Sequence, residues 1–474
     1  MFSNQSAELS LNAPCRSIAA VTADRSESRF LVGTCAVETI DGGDDDEDNN
    51  KLYVLRYHSD VNDVGVDASL THPTGPIQHL VSNPHDKTLV LTLPQQQQQQ
   101  GNSSSSNKKT AATLYKIPTA VMEMSSDLPV DGNDDTTTTD YPNYYTSSSG
   151  HYDPDVSARF SEASIQSSSS TTANTNMNTN DNSLDAPVLE AKVTLEGTHQ
   201  SIVDMVWKHH PAAAASLGEE TTTSTTIGGD VLTLEENGTI TQWDISFGAV
   251  AEATTTINAN NNEEPLSAIA PTPRIQWDPH HDASFAVTWG KSLHLMDLKS
   301  QETTLSIKNA HRYGVTGMDY NPNKPHAIAT SGMDGLVHFW DVRYTSGTQR
   351  RRPVLTARGG HSHYATCATY NPFHDQLLLS AGTDAVVNLW RVSTISSAPL
   401  LTLDDDDNDD NDNNNNDDKD ASNVRVARHE STSGDAVYGV AWSAADAWLY
   451  TTVAYDGKVA LHHVPSKEKY KILL

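Results

Sequence analysis

His311, Ser331 and Asp334 are the residue types of an acyl-transfer triad, and they lie close together in the chain. In such a triad the histidine takes the serine proton and the carboxylate orients the histidine. The serine must also stand on an exposed elbow beside an oxyanion pocket. Ser331 instead opens the stretch "SGMDGLVHFWDVR", residues 331–343, in which Asp334-Gly335 reads as a turn between two strands. The set then recurs fifty residues later, where His361, Asp384 and Trp390 repeat the spacing of His311, Asp334 and Trp340. Tyr320-Asn321-Pro322 and Tyr370-Asn371-Pro372 keep the same register. Four landmarks in one register mark a structural repeat. These residues therefore read as a hydrogen-bonded scaffold. Asp334 accepts from the His311 ring, and a Ser or Thr such as Ser331 links that ring to the Trp340 indole, because a buried Trp or His requires a partner.

Other chemistry finds little support. His209-His210, His280-His281 and His462-His463 are adjacent pairs, and neighbours on a strand face opposite ways. None has an acidic or Cys partner at zinc-like spacing. No phosphate-cradling or dinucleotide glycine motif is present. The Asp/Asn run 404–420 lacks the glycine and terminal glutamate of a calcium loop. The expectation is a protein with no catalytic residue, no metal and no cofactor.

The elements that hold these residues recur seven times. In "LTLEENGTITQWDIS", Asn237 and Trp243 keep the six-residue interval of Asp334 and Trp340. Asp456 is followed at the same interval by His462, and Gly290 by Met296. Trp277-Asp278 imitates the closing Trp-Asp pair but aligns with Tyr320-Asn321. The units fall at about 15–57, 71–118, 189–256, 268–306, 308–358, 360–403 and 425–465. Each reads as short strands of β-branched and aromatic residues bounded by Gly and Asp turns. One such sheet cannot bury both of its faces alone, and radial packing of seven into a closed ring solves this. The expected fold is all-β: a seven-bladed WD40 β-propeller spanning 1–474 as a single domain. The stretch "ELSLNAPCRSIAAV" near the N-terminus completes the last blade.

Composition supports this reading. The net charge is −30, half of it from the runs 404–420 and 41–50. A strongly acidic chain without a basic face excludes nucleic acid as a partner; Arg350-Arg351-Arg352 is the one short basic cluster and reads as a solvated loop. Residues 121–188 and 404–420 bury too little apolar surface to offset the entropy of ordering them and read as a disordered insertion and an acidic disordered loop. The three cysteines form no Cys-x-x-Cys pair and fit no disulfide framework. No signal peptide and no apolar run long enough to span a membrane is evident. The protein is expected to be monomeric by itself.

The repeats resemble the WD40 family. The C-terminal half resembles, more specifically, the family of EARP- and GARP-complex-interacting proteins. The segments that carry this likeness are "NPNKPHAIATSGMDGLVHFWDVR", "NPFHDQLLLSAGTDAVVNLW", "SAADAWLYTTVAYDGKVALHHVP", the final "KYKILL" and, near the start, "RFLVGT". The resemblance implies a non-enzymatic scaffold in the cytoplasm. It would bind the endosome-associated recycling and Golgi-associated retrograde tethers, be recruited peripherally to endosomes and the trans-Golgi network, and support recycling and retrograde transport. Trp340-Asp341-Val342-Arg343 also resembles the box by which some propellers dock on cullin ubiquitin ligases as substrate receptors.

On the repeat template, residues just after the blade His and around the turn Asp share one rim. Arg312, Tyr313, His363, Tyr364, Tyr438 and Tyr455 are thereby the candidate partner contacts. His311, Ser331, Asp334, Trp340, His361, Asp384, Trp390, Asp456 and Trp243 are the candidate network. The composition of the long tract yields a prediction. Deleting residues 125–185 is expected to leave the thermal melting midpoint within a few degrees of the parent, because loop-closure entropy changes slowly with length. Circular dichroism melting of the purified deletion variant checks it.

Overall fold

Apolar runs punctuated by Gly, Asn and Asp form twenty-eight strands and two short α-helices among the described residues of the computed structural model. Those residues are 6–11, 13–35, 50–95, 109–123, 189–208, 229–246, 250–258, 270–343, 352–398 and 423–473. After β1 (Ala7–Ser10), blade 1 comprises β2 (Cys15–Ala20), β3 (Arg29–Thr34), β4 (Lys51–His58) and β5 (Asp63–Thr71). Blade 2 comprises β6 (Ile77–Ser82), β7 (Leu89–Pro94), β8 (Ala112–Lys116) and β9 (Glu190–Leu195). Blade 3 is β10 (Ile202–Trp207), β11 (Asp230–Glu235), β12 (Thr239–Ser246) and β13 (Val250–Asn258). Blade 4 is β14 (Ile275–Trp277), β15 (Ser284–Trp289), β16 (Ser292–Asp297) and β17 (Glu302–Ile307). Blade 5 is β18 (Val315–Tyr320), β19 (Ala327–Gly332), β20 (Val337–Asp341) and β21 (Leu355–Ala357). Blade 6 is β22 (Ala365–Tyr370), β23 (Leu377–Gly382), β24 (Val386–Val392) and β25 (Asn423–Glu430). Blade 7 is β26 (Val437–Trp442), β27 (Leu449–Ala454) and β28 (Lys458–His463), completed by β1.

The first strand of every blade touches the first strands of both neighbours, β2 against β26 included, so the ring is closed. Strand alternation sends successive side chains to opposite blade interfaces. Leu378 joins the core between blades 5 and 6, while Leu377 and Leu379 join the core between blades 6 and 7. Seven apolar clusters result, each shared by two neighbouring blades. This is why strands such as "RFLVGT" are buried along their whole length and do not alternate with polar residues.

The seven-bladed fold is as expected, but the unit boundaries shift. The fourth strand of blade 2, β9, lies beyond the tract expected to separate units, and β25 likewise lies beyond the acidic run. Both insertions therefore interrupt a blade between its third and fourth strands. Residues 121–123 belong to helix α1 (Thr119–Glu123); 124–188 and 404–420 lie outside the described residues. The stretch "ELSLNAPCRSIAAV" also divides. Ala7–Ser10 pairs antiparallel with β28, Ala7 opposite Leu461, whereas Cys15–Ala20 begins blade 1.

Polar caps end the first strands in the same way around the ring. Asn321 Oδ1 accepts the amides of Asn323 and Lys324 at 2.9 and 2.7 Å, and Asn371, Asn83 and Ser443 repeat the motif. Helix α2 (Ser466–Leu473) is pinned to blade 6 by Arg391 Nη1 on Glu468 at 2.7 Å.

Ring closure generates the second prediction. Removing residues 1–12 deletes β1 and bares the edge of β28, which then lacks partners for its amides and carbonyls. The truncated protein is expected to melt several degrees lower and to self-associate. Melting together with light scattering tests this, and a monomer of unchanged midpoint contradicts it.

Candidate functional site

Each connection from a fourth strand to the next first strand, and each hairpin from second to third strand, opens on the same face of the disc. Blades 5 and 6 organise that rim with buried hydrogen-bond relays. In blade 5 the Trp340 indole donates to Thr330 Oγ1 at 2.9 Å, Thr330 meets His311 Nε2 at 2.9 Å, and His311 Nδ1 meets Asp334 at 2.8 Å. Since an indole N–H can only donate, the threonine proton is free to point to Nε2, and the ring then carries its proton on Nδ1, facing the carboxylate. Asp334 also accepts the amides of Arg312 and Leu336. Blade 6 repeats the relay with Trp390, Ser380, His361 and Asp384 at 2.9, 2.8 and 3.1 Å.

The relay hydroxyl in blade 5 is thus Thr330, one residue before the expected Ser331. The period of two on a strand puts Ser331 on the opposite blade face, where its Oγ lies 3.0 Å from Thr316 Oγ1. Thr316 in turn donates to Ala365 O of blade 6 at 2.6 Å. The network hydroxyl is fully buried and already bound to an indole, so no carbonyl can approach it for attack. Trp243 keeps part of the relay, donating to Thr233 Oγ1 at 2.8 Å. Asp456 accepts the Lys458 amide at 3.2 Å in its turn, and the Trp position of that blade is taken by His462, stacked on His429.

Electrostatics follow the geometry. Burial opposes the charge on Asp334, but the His311 ring and two backbone amides outweigh it and hold the carboxyl down to about 2. Burial is the largest influence on Asp384 as well, and its hydrogen bonds with Ser362 and His361 reverse it, leaving the group lowered. Asp319, half-buried on β18 against blade 6, is pushed up to about 7 by burial although it accepts the Tyr370 amide at 2.8 Å. Cys35 is pushed up to about 11, and burial raises Cys15 further, so these thiols are poor nucleophiles.

Blade 2 carries a relay that the repeat pattern did not reveal. His72 Nε2 lies 2.8 Å from Thr92 Oγ1, and Tyr115 occupies the Trp position, its ring centroid 5.1 Å from His72. The Gln and Ser tract between Thr92 and Tyr115 hides the spacing. A second missed cluster lies on the inner strands. Asp204 is buried and contacts His79 at 3.0 Å and Arg274 at 3.4 Å, joining blades 2, 3 and 4.

Of the six candidate contact residues, Arg312 and Tyr313 lie in the β17–β18 connection, His363 and Tyr364 in the β21–β22 connection, Tyr438 in β26 and Tyr455 in the β27–β28 hairpin. Tyr313, Tyr364 and Tyr455 are exposed, as are Arg312 and His363. Arg312 covers the Tyr313 ring at 5.1 Å and His363 packs on Tyr364 at 4.2 Å. Tyr438 and Tyr455 pack edge-on at 5.9 Å at the junction of blades 7 and 1, with Arg16 over Tyr438 at 4.7 Å. In the Trp-Asp-x-Arg segment, Trp340 is buried in its relay and Arg343 bonds its own Asp341 at 2.6 Å. Among the described residues no group of three His, Cys, Asp or Glu side chains could hold a metal. His280 and His281 turn to Asn321 O and Asp278, and His463 lies 3.2 Å from the Tyr57 hydroxyl; His209-His210 lies outside the described residues.

A closed ring of seven four-stranded blades with these relays defines a WD-type β-propeller. Residues 230–390 match the model of the EIPR1 beta-propeller family. It is 36% identical over 199 residues to EARP-interacting protein 1 of Caenorhabditis elegans, covering 42% of this chain and 52% of that protein. It is 30% identical over 202 residues to EARP and GARP complex-interacting protein 1 of Rattus norvegicus, covering 42% and 51%. In both, the matched stretch spans about half the length of the relative. The Homo sapiens protein of the latter name aligns over 468 residues at 27% identity, covering 97% of this chain and 96% of the relative.

The relays yield a stability prediction. Thr330→Val leaves an indole N–H and an imidazole nitrogen unpaired in a buried site, and Asp384→Ala removes the acceptor of His361 and Ser362. Each is expected to lower the unfolding free energy by about 1–3 kcal/mol, with Thr330→Ser retaining most of it. Urea denaturation checks both; a normal midpoint with lost partner binding contradicts the scaffold role.

Proposed function

We propose that this propeller is a non-catalytic scaffold that binds the EARP and GARP tethering complexes. In this role it supports endosomal recycling and endosome-to-trans-Golgi retrograde transport. The observation that carries the reading is the alignment, over 97% of this chain, with a human protein named for interaction with both complexes. The site chemistry is compatible. His311, Thr330 and Asp334 in blade 5 and His361, Ser380 and Asp384 in blade 6 are consumed in relays, and they support loops with exposed Tyr and Arg, residue types that anchor protein interfaces. Among the described residues no helix is long and apolar enough to cross a membrane, and the reading places the protein in the cytoplasm, brought to endosomal and trans-Golgi membranes by the tether.

Affinity purification of the full chain from cells, with quantitative mass spectrometry, tests the proposal. Tether subunits are expected to be enriched well above a propeller control. Their absence refutes the reading, and enrichment of a cullin adaptor in their place assigns the Trp-Asp-x-Arg segment the receptor role.

A further inference from the structure

The chain carries a net charge of −30, yet one arc of its rim is basic. Lys291 sits in the β15–β16 hairpin, Lys308 and Arg312 in the connection from β17 to β18, and Arg358 in the connection from β21 to β22. All four are exposed. The fold makes this arc continuous. The Lys291 carbonyl faces the His311 amide and the Gly290 carbonyl accepts the Val315 amide at 2.8 Å. Gly314 O accepts the Met333 amide at 2.9 Å, which ties the connection to the β19–β20 hairpin. That hairpin abuts the next connection so closely that a Cβ on Gly335 would stand 2.8 Å from His363 O. Tyr364 O then accepts the Thr383 amide at 2.9 Å.

The charges along this arc are unbalanced. Among the described residues its carboxylates between Lys291 and Ala385 are Asp334 and Asp384, and both are spent on a histidine and on backbone amides. None of the four cations forms an ion pair with a described carboxylate. Elsewhere the described rim carries both signs, with Glu236, Glu430, Asp435 and Asp456 interspersed with Lys109, Arg428 and Lys458. Within the basic arc Tyr313 and Tyr364 stand 54% and 39% exposed.

We propose that this arc, from the β15–β16 hairpin of blade 4 to the β23–β24 hairpin of blade 6, docks an acidic, extended segment of a protein partner. Lys291, Lys308, Arg312 and Arg358 pair with its carboxylates, and Tyr313 and Tyr364 cover its apolar side chains. A peptide fits the arc better than a membrane does. A flat anionic surface would also meet the carboxylates of Glu236, Glu430, Asp435 and Asp456 elsewhere on the rim, whereas a single strand of chain follows the basic strip alone. The inference rests on the scaffold reading and names the chemistry of the contact.

The test uses the full chain and a fluorescein-labelled Glu-rich peptide with a central Trp. Fluorescence anisotropy is expected to give saturable binding that weakens as salt rises. Lys308→Glu/Arg312→Glu/Arg358→Glu is expected to weaken it by roughly tenfold or more. Tyr313→Ala/Tyr364→Ala should weaken it at unchanged melting midpoint. Lys299→Glu/Lys467→Glu, on the opposite rim, should leave it unchanged. Absence of saturable binding, equal loss in the opposite-rim variant, or binding to phosphatidylserine vesicles in place of the peptide overturns the proposal. Capture of the tethering complex by wild type and equally by the triple variant also overturns it while leaving the scaffold reading intact. If the wild-type chain captures no tether but the peptide titration behaves as stated, the scaffold reading fails and the arc stands.

Discussion

Every blade must bury both of its faces, and no blade can do so without two neighbours. That constraint governs the rest of the molecule. The seven apolar clusters are all interfaces, each built from the facing sides of adjacent sheets. A ring with a missing or unpaired blade would leave one such cluster half open to water, at about 25 cal/mol for each Å² of apolar surface exposed. Closure by β1 against β28 places the two ends of the chain in one sheet, so the last interface forms only after nearly the whole chain is in place.

The buried polar groups follow from the same constraint. A sheet sandwiched between two others can admit Trp, His, Thr and Asp only if each finds a partner. The relays of blades 5 and 6 satisfy that demand by joining an indole, a hydroxyl, an imidazole and a carboxylate in series. What imitates a catalytic triad in composition is thus the price of burying polar anchors beneath the loops. The insertions obey the constraint too, since they leave the blades at hairpins and connections, where no interface has to open to accommodate them.

Rigid loops carried on a ring can present residues that are far apart in the chain as one surface. The rim brings Lys291, Lys308, Arg312 and Arg358 together from blade 4 to blade 6, while elsewhere its described residues carry both signs. The proposed scaffold role calls for such a surface and for no reaction centre.

The all-β class, the seven-fold repeat and the Trp277-Asp278 misalignment were legible in the sequence, because turn residues and strand periodicity are local properties. His311, Asp334, Trp340 and their copies were legible for the same reason: the hairpin between them has constant length. Where a hairpin is interrupted the signal disappears, as at His72, Thr92 and Tyr115. The unit boundaries failed at β9 and β25 because a fourth strand separated from its blade by a long insertion looks, in sequence, like the start of the next unit. Only tertiary structure decided that Thr330 and not Ser331 completes the relay, since that depends on which face of β19 meets His311. It alone brought Lys291, Lys308, Arg312 and Arg358 into one arc, because the circular order of blades, and not distance along the chain, sets which loops are neighbours.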